Sequence, residues 1–159
     1  IYTNGIKLNE LPKDIMPIRA CVSFHEIESD NPSRKPLKPI MNNLSEFAKK
    51  GNRLGDVSHA IGSFVEKNGY SVVKEFQGHG IGRSMHEDPG IPNYGKAGRG
   101  IRLEPGMTLA IEPMVIQGSP NILELDDGWT IITEDGSLSA HYENTILITD
   151  GEPEILTLR

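Results

Sequence analysis

The pattern of turns in the second half of the chain constrains its fold more than any other sequence feature. From residue 70 onward, short segments rich in β-branched and apolar residues alternate with turn sequences such as Glu104-Pro105-Gly106 and Asp135-Gly136. Such segments are typical of strands, and turns this short join neighbouring antiparallel strands. The pattern therefore predicts an antiparallel or mixed sheet, with strands over residues 70–76, 107–116, 130–133, 142–149 and 154–158.

Two predicted helices precede these strands. Apolar residues recur at helical spacing over residues 37–47, before Gly51, and again over residues 57–65. The second helix is predicted to begin near Asp56, as its N-cap, and to end at Asn68-Gly69. Helices packed on one face of such a sheet make an α+β fold.

A length of 159 residues suits a single domain with a buried core. We therefore predict one domain over residues 1–159. Within it, residues 1–35 are predicted to be irregular, apart from a strand near residues 18–24.

Charge, hydropathy and cysteine usage exclude several classes of protein. The net charge of −6 argues against a nucleic-acid partner, which favours clustered Lys and Arg. No segment approaches the roughly 18–20 consecutive apolar residues of a membrane helix, and the first ten residues do not resemble a signal peptide. The single cysteine, Cys21, excludes an internal disulfide and fits a reducing compartment. We expect a cytoplasmic domain that binds neither nucleic acid nor membranes.

The glycine-rich run Gly78-His79-Gly80-Ile81-Gly82 is the first candidate functional motif. Glycines on both sides of His79 leave little bulk, so its imidazole could approach a ligand closely. His86 lies beyond a glycine turn that could fold it toward the same pocket. Neutral imidazole is a common metal ligand. The alternative is that the glycines only make a tight turn, with His79 on the surface.

Two glutamates lie within apolar strand sequences. Glu112 follows Ala110-Ile111, and Glu143 follows His141-Tyr142 and precedes the apolar residues 146–148. Burying an unpaired carboxylate is costly, so each needs a basic partner, a proton or a bound cation. The alternative for Glu112 is that it lies on an edge strand and points to water. Oxygen and imidazole donors together suit Mn, Fe, Co or Zn, and two carboxylates suit the bridging of two ions.

Five motifs follow one another in a distinctive order: Gly78-His79-Gly80-Ile81-Gly82-x-x-x-His86-Glu87-x-Pro89, Leu103-x-Pro105-Gly106-Met107, Ile111-Glu112-Pro113-Met114, Asp127-Gly128-Trp129-Thr130 and His141-Tyr142-Glu143-Asn144-Thr145. Their order resembles that of the type I methionine aminopeptidases, and the similarity extends back through residues 51–56, so that residues 36–159 form the family-matching part. The resemblance implies the pita-bread fold, in which two αβ halves enclose a dinuclear metal site. It also implies removal of the initiator methionine from newly made proteins.

The resemblance further implies roles for particular residues. His79, Glu112 and Glu143 match metal ligands, with Glu143 bridging two ions and Glu112 binding one ion while it helps to move a proton. His86 matches the histidine that hydrogen-bonds the scissile amide or the tetrahedral intermediate, and Trp129 matches an aromatic residue at the rim of the methionine pocket. The metals would lower the pKa of a shared water and stabilise the oxyanion. We expect a monomer with one or two divalent ions (Mn, Fe, Co or Zn), acting on the N-termini of nascent polypeptides.

The first part of the chain departs from the family pattern. The family has five protein ligands, of which two are aspartates about eleven positions apart on neighbouring strands. Asp14 and Asp30 are sixteen positions apart and do not match that pattern. His25 is only faintly similar to the substrate-contacting histidine of the family. Three ligands could still hold one ion.

Two alternatives stay open. The first is a non-catalytic pita-bread module that binds proteins and has lost part of the metal site, a reading favoured by the missing aspartates. Retention of the three ligands together with His86 and Trp129 speaks against it. The second is an X-Pro peptidase on the same fold, although the spacing from the glycine-rich run to His86 is more similar to the methionine-specific branch.

Overall fold

The computed structural model describes residues 2–3, 6–7, 44 and 46–157. Near the start of the chain, strand β1 (Tyr2–Thr3) pairs antiparallel with β2 (Ile6–Lys7), within the span predicted to be irregular. The strand predicted near residues 18–24 lies outside the described residues. So do four individual residues discussed above: Asp14, Cys21, His25 and Asp30.

The predicted second helix is confirmed as α1 (Leu54–Lys67), but the prediction that Asp56 is its N-cap is wrong. Arg53 occupies the N-cap position. Asp56 lies three residues further on, where its Oδ2 accepts a hydrogen bond from the backbone N–H of Arg53 at 2.7 Å. The helix ends before Asn68, and Gly69 adopts a left-handed φ of 79°, as expected of a helix stop.

The carboxylate of Asp56 joins the start of α1 to a distant loop. Its Oδ1 accepts a hydrogen bond from the backbone N–H of Gly98 at 2.7 Å. The hydrogen bond from Arg53, followed by that from Gly98, lowers the pKa of Asp56. A lowered carboxyl pKa stabilises the fold above the pKa of the unfolded chain, and this stabilisation is lost as the pH falls through the folded value.

We predict that Asp56→Ala lowers the free energy of unfolding by about 1 kcal/mol at pH 7, because α1 loses its capping acceptor. The difference from the unsubstituted chain should shrink as the pH falls below about 4, the ordinary carboxyl pKa, because the unfolded chain then takes up a proton at Asp56 that the folded chain binds less readily. Urea unfolding at several pH values measures both effects. Asp126→Asn, in an exposed turn, is the control. A difference that stays constant down to pH 2 would contradict the prediction.

The first predicted helix falls only partly within the described residues. Residues 44, 46 and 47 are helical, and Leu44 and Ala48 are buried in the core. Gly51 has a φ of 85°, consistent with its predicted role in ending this segment. Residues 37–43 and 45 lie outside the described residues.

The described residues after α1 form ten strands, all paired antiparallel. The strands are β3 (Ser71–Val72), β4 (Gln77–Gly80), β5 (Glu87–Pro92), β6 (Thr108–Ile111), β7 (Met114–Ile116), β8 (Ile122–Glu124), β9 (Ile131–Thr133), β10 (Ser139–His141), β11 (Asn144–Leu147) and β12 (Glu154–Ile155). A five-stranded sheet has the order β12-β11-β6-β4-β5, a three-stranded sheet the order β10-β7-β3, and β8 pairs with β9. The predicted α+β fold with an antiparallel sheet is therefore confirmed.

Residues 107–116, predicted as one strand, form two strands in different sheets. β6 belongs to the five-stranded sheet and β7 to the three-stranded sheet, with Glu112 and Pro113 between them. The segment that pairs with β6 and β7 is interrupted in the same way, because β10 and β11 flank Tyr142 and Glu143. Both segments therefore pass from one sheet to the other at the same level.

The hydrophobic core lies between α1 and the sheets. Buried residues of α1 such as Val57 and Ile61 belong to one cluster with Leu109 and Ile146 of the central strands. A Cβ on Gly62 would lie 3.2 Å from the carbonyl oxygen of Asn93, so the helix packs closely on the chain that follows β5. Among the described residues, no helix combines the length and apolar character needed to cross a bilayer.

Candidate metal centre

Glu112 and Glu143 lie opposite each other where the two sheets meet. On one side of them Ile111 pairs with Asn144, and on the other side Met114 pairs with His141. Each chain segment has two residues between these pairings, so the ladder is interrupted and side chains can turn inward. Both glutamates are half-buried. The alternative that Glu112 points to water is wrong, because only 15 % of its side chain is exposed.

His79 lies in the middle of β4, between two neighbouring strands. It pairs with Ala110 of β6 on one side and with Gly90 of β5 on the other. Its side chain is 16 % exposed, so the alternative of a surface histidine in a tight turn is wrong. Nδ1 lies 2.8 Å from the carbonyl oxygen of Gly80. An N–H donated there leaves Nε2 with a free lone pair, the arrangement typical of metal-binding histidines.

The glycines around His79 are required by the neighbouring strands. A Cβ on Gly78 would overlap the carbonyl oxygen of Ala110, and a Cβ on Gly80 would overlap the carbonyl oxygen of Asp88. Both obstacles are backbone atoms, which cannot move aside as a flexible side chain would. The glycines thus let β4 fit between β5 and β6, and they fix His79 beside Glu112.

The carboxylate of Glu112 lies between two imidazoles. Its Oε1 is 3.5 Å from Nε2 of His79, and its Oε2 is 3.3 Å from Nε2 of His141. Ligand atoms of Glu112, His141 and Glu143 lie within 4.8 Å of one another, close enough to share one cation. The structure therefore places all three sequence-predicted ligands at one site and adds His141.

The motif that contains Glu143 also contains His141, which the family resemblance does not mark as a ligand. One signal could have identified it, because side chains two residues apart in a strand point to the same face. His141 and Glu143 have this spacing. The strand is interrupted between β10 and β11, so the alternation of side chains is hard to apply to this pair from the sequence.

The other two predicted site residues are exposed. The His86 ring centroid lies 4.4 Å from that of His79 in an edge-on arrangement, so His86 is at the mouth of the site. Trp129 is 70 % exposed and lies in the turn between β8 and β9. Asp127 holds this turn by accepting hydrogen bonds from the hydroxyl and backbone N–H of Thr130 and from the backbone N–H of Trp129. These hydrogen bonds lower the pKa of Asp127, and the hydrogen bond from the Thr130 hydroxyl has the largest effect.

Asn93 supports the site from behind. Its side chain is fully buried, and its Nδ2 donates a hydrogen bond to the backbone carbonyl of Glu112 at 3.4 Å. This contact joins the end of β5 to the residue between β6 and β7. Sequence reasoning did not identify Asn93, because nothing in its local pattern distinguishes it from a loop residue.

The donor set fits a divalent metal ion. Among the described residues, no Lys or Arg forms an ion pair with Glu112 or Glu143, although both carboxylates are half-buried. The buried Nε2 of His141 makes no hydrogen bond within the described part of the chain. Carboxylate oxygens beside imidazole nitrogens suit first-row divalent ions, and a cation would compensate both the charges and the free nitrogen.

Comparison with known proteins agrees with this geometry. The model of the family described as metallopeptidase family M24 matches residues 37–150. The chain therefore belongs to metallopeptidase family M24.

Within that family, the chain is similar to methionine aminopeptidases. It is 60 % identical over 113 residues to the methionine aminopeptidase of Clostridium perfringens, covering 71 % of this chain and 45 % of that protein. It is 54 % identical over 110 residues to methionine aminopeptidase 1 of Bacillus subtilis, covering 69 % of this chain and 44 % of that protein. The chain thus spans less than half the length of these relatives.

A solved structure shows the same architecture. The crystal structure of methionine aminopeptidase from Thermotoga maritima superposes with a TM-score of 0.73 at 50 % identity, covering 81 % of this chain and 53 % of that one. The predicted resemblance to methionine aminopeptidases and the predicted pita-bread fold are both confirmed.

Proposed function

We propose that this chain carries the metal-binding part of an aminopeptidase that removes the N-terminal methionine from newly made proteins. The observation that carries the proposal is the meeting of Glu112 and Glu143 with the imidazoles of His79 and His141 between two sheets. The 60 % identity to the methionine aminopeptidase of Clostridium perfringens supports this reaction for the matched part.

His79, Glu112 and Glu143 would hold one or two divalent ions of Mn, Fe, Co or Zn. Bound there, such an ion supplies Lewis-acid chemistry, because it polarises a peptide carbonyl and lowers the pKa of water. The two oxygens of Glu112 face different imidazoles. Glu112 would help to hold the ion, and its carboxylate would accept a proton from the attacking water.

His86 and Trp129 would act on the substrate. The exposed imidazole of His86 lies beside His79. From there it can donate a hydrogen bond to the scissile amide or to the oxyanion that develops in the transition state. The exposed indole of Trp129 offers an apolar face at the rim of a methionine pocket.

The proposed substrates are the free N-termini of nascent polypeptides in the cytoplasm. The net charge of −6 supports the proposal that neither nucleic acid nor an anionic membrane surface is a partner. We propose that the protein acts as a monomer.

A dipeptide panel tests the proposed reaction. With Mn²⁺ or Co²⁺ added, we expect release of methionine from a Met-Gly peptide and no cleavage of Ala-Pro. An N-acetylated Met-Gly peptide is the matched control, and it should resist cleavage because the free amine is blocked. Cleavage of Ala-Pro without cleavage of Met-Gly would indicate an X-Pro peptidase. Metal binding without any cleavage would favour the non-catalytic binding module.

A further inference from the structure

One imidazole at the candidate metal centre has no role in the ligand set carried over from the family. His141 is the last residue of β10, and its side chain is only 12 % exposed. Its Nε2 is buried and makes no hydrogen bond with any described residue. The nearest printed polar neighbour of this nitrogen is a carboxylate oxygen that makes no hydrogen bond with it, and a buried ring nitrogen without a hydrogen bond is costly, so this position calls for a group that binds nitrogen.

The position of Nε2 relative to Glu112 resembles that of two adjacent ligands. Nε2 lies 3.3 Å from Oε2 of Glu112, yet the two atoms do not form a hydrogen bond. Two ligand atoms, each about 2.1 Å from one cation, are about 3.0 Å apart in octahedral and about 3.4 Å apart in tetrahedral coordination. The observed separation therefore suits two donors directed at a common ion.

Glu143, two residues after His141 and opposite Glu112, completes this group. Its carboxylate lies within 4.8 Å of the ligand atoms of both Glu112 and His141. Two carboxylates and one imidazole make a three-ligand set that leaves a position open for water or substrate. The set consists of Glu112, His141 and Glu143 alone, so it does not include the two aspartates of the family pattern.

We propose that His141 coordinates a divalent ion through Nε2, together with Glu112 and Glu143, and in addition to His79, whose Nε2 lies 3.5 Å from the other oxygen of Glu112. The inference rests on the proposed metal site and assigns it one further ligand. An imidazole in place of an oxygen donor favours the borderline ions Zn²⁺ and Co²⁺ over Mn²⁺.

Titration of the metal-free chain with Co²⁺ tests this assignment by calorimetry and by the visible absorption of bound Co²⁺. We expect His141→Ala to bind Co²⁺ about 100-fold more weakly and with an altered absorption spectrum. Free imidazole should restore at least about tenfold of the affinity by occupying the vacated position. His59→Ala is the matched control, because His59 is exposed on α1 and contacts the backbone of Gly95. It should bind Co²⁺ as the unsubstituted chain does.

Each other outcome overturns the inference in a recognisable way. Unchanged Co²⁺ affinity and spectrum in His141→Ala would remove His141 from the site and leave the remaining ligands in place. Weaker binding with an unchanged spectrum and no rescue by imidazole would make His141 a positioning residue for Glu112. Absence of Co²⁺ binding by the unsubstituted chain would overturn both the inference and the proposed metal site. If His141→Ala does not fold, His141→Gln retains the side-chain volume and serves in the same titration.

Discussion

Replacing Glu112 with glutamine will lower the rate of Met-Gly hydrolysis by at least about 1,000-fold. The amide retains the shape of the carboxylate, but it carries no charge and accepts no proton. The substitution therefore removes a metal ligand and the proton acceptor together, and general-base catalysis alone contributes about 100- to 10,000-fold. Initial rates at saturating Mn²⁺ measure the effect.

Glu66→Gln is the control for this substitution. Glu66 lies on the exposed side of α1, so the same change of charge should leave the hydrolysis rate within about twofold. A Glu112→Gln chain that keeps more than a tenth of the original rate would show that Glu112 neither binds the metal nor accepts the proton.

Replacing Gly78 with alanine will destabilise the fold by about 3 kcal/mol and will weaken Mn²⁺ binding. The added Cβ would overlap the carbonyl oxygen of Ala110, so β4 must move away from β6. Overpacking of a buried position typically costs about 1–3 kcal/mol, and a rigid backbone neighbour favours the upper end. Because His79 follows Gly78 directly, the shift also moves its imidazole away from Glu112. Urea unfolding and Mn²⁺ titration measure the two effects.

Gly151→Ala provides the matched comparison. A Cβ on Gly151 would meet only the Thr149 hydroxyl, at an ordinary contact distance of 4.0 Å. We expect its stability to remain within about 0.5 kcal/mol of the unsubstituted chain. Equal stability of the Gly78→Ala and Gly151→Ala chains would mean that β4 has more room than the structure indicates.

Much of the fold was predictable because local rules act on contiguous residues. The apolar spacing of residues 57–65 and the stop at Gly69 identified α1, and the short turns identified antiparallel strands. The start of α1 was placed wrongly because an aspartate near a helix start can act in two ways. Asp56 bonds back to the preceding backbone as a third helical residue, whereas an N-cap aspartate bonds forward.

The strand break at Glu112 could not be predicted from hydropathy. β6 and β7 are both mostly apolar, so hydropathy alone does not show that one strand ends and another begins here. Pro113 was the available signal, because a proline donates no ladder hydrogen bond and argues against a continuous inner strand. The break matters for function, because it allows Glu112 to turn toward Glu143.

The composition of the candidate site was partly predictable. Motif order identified His79, Glu112 and Glu143, and the structure brings all three together. The position of His141 beside Glu112 depends on how β10 pairs with β7, whose paired residues lie 23 to 27 positions earlier in the chain. Asn93 contacts the backbone carbonyl of Glu112, 19 residues away in the sequence, only because the fold brings the two residues together. Contacts of this kind are set by tertiary packing, so local sequence patterns do not predict them.

The measurement that tests the central proposal most directly is calorimetric titration of the metal-free chain with Mn²⁺, compared with the Glu112→Gln/Glu143→Gln double variant. We predict saturable binding of one or two ions by the unsubstituted chain and loss of that binding in the double variant, with both chains folded by circular dichroism. Equal Mn²⁺ binding by the two chains would contradict the assignment of the metal centre to the junction of the two sheets.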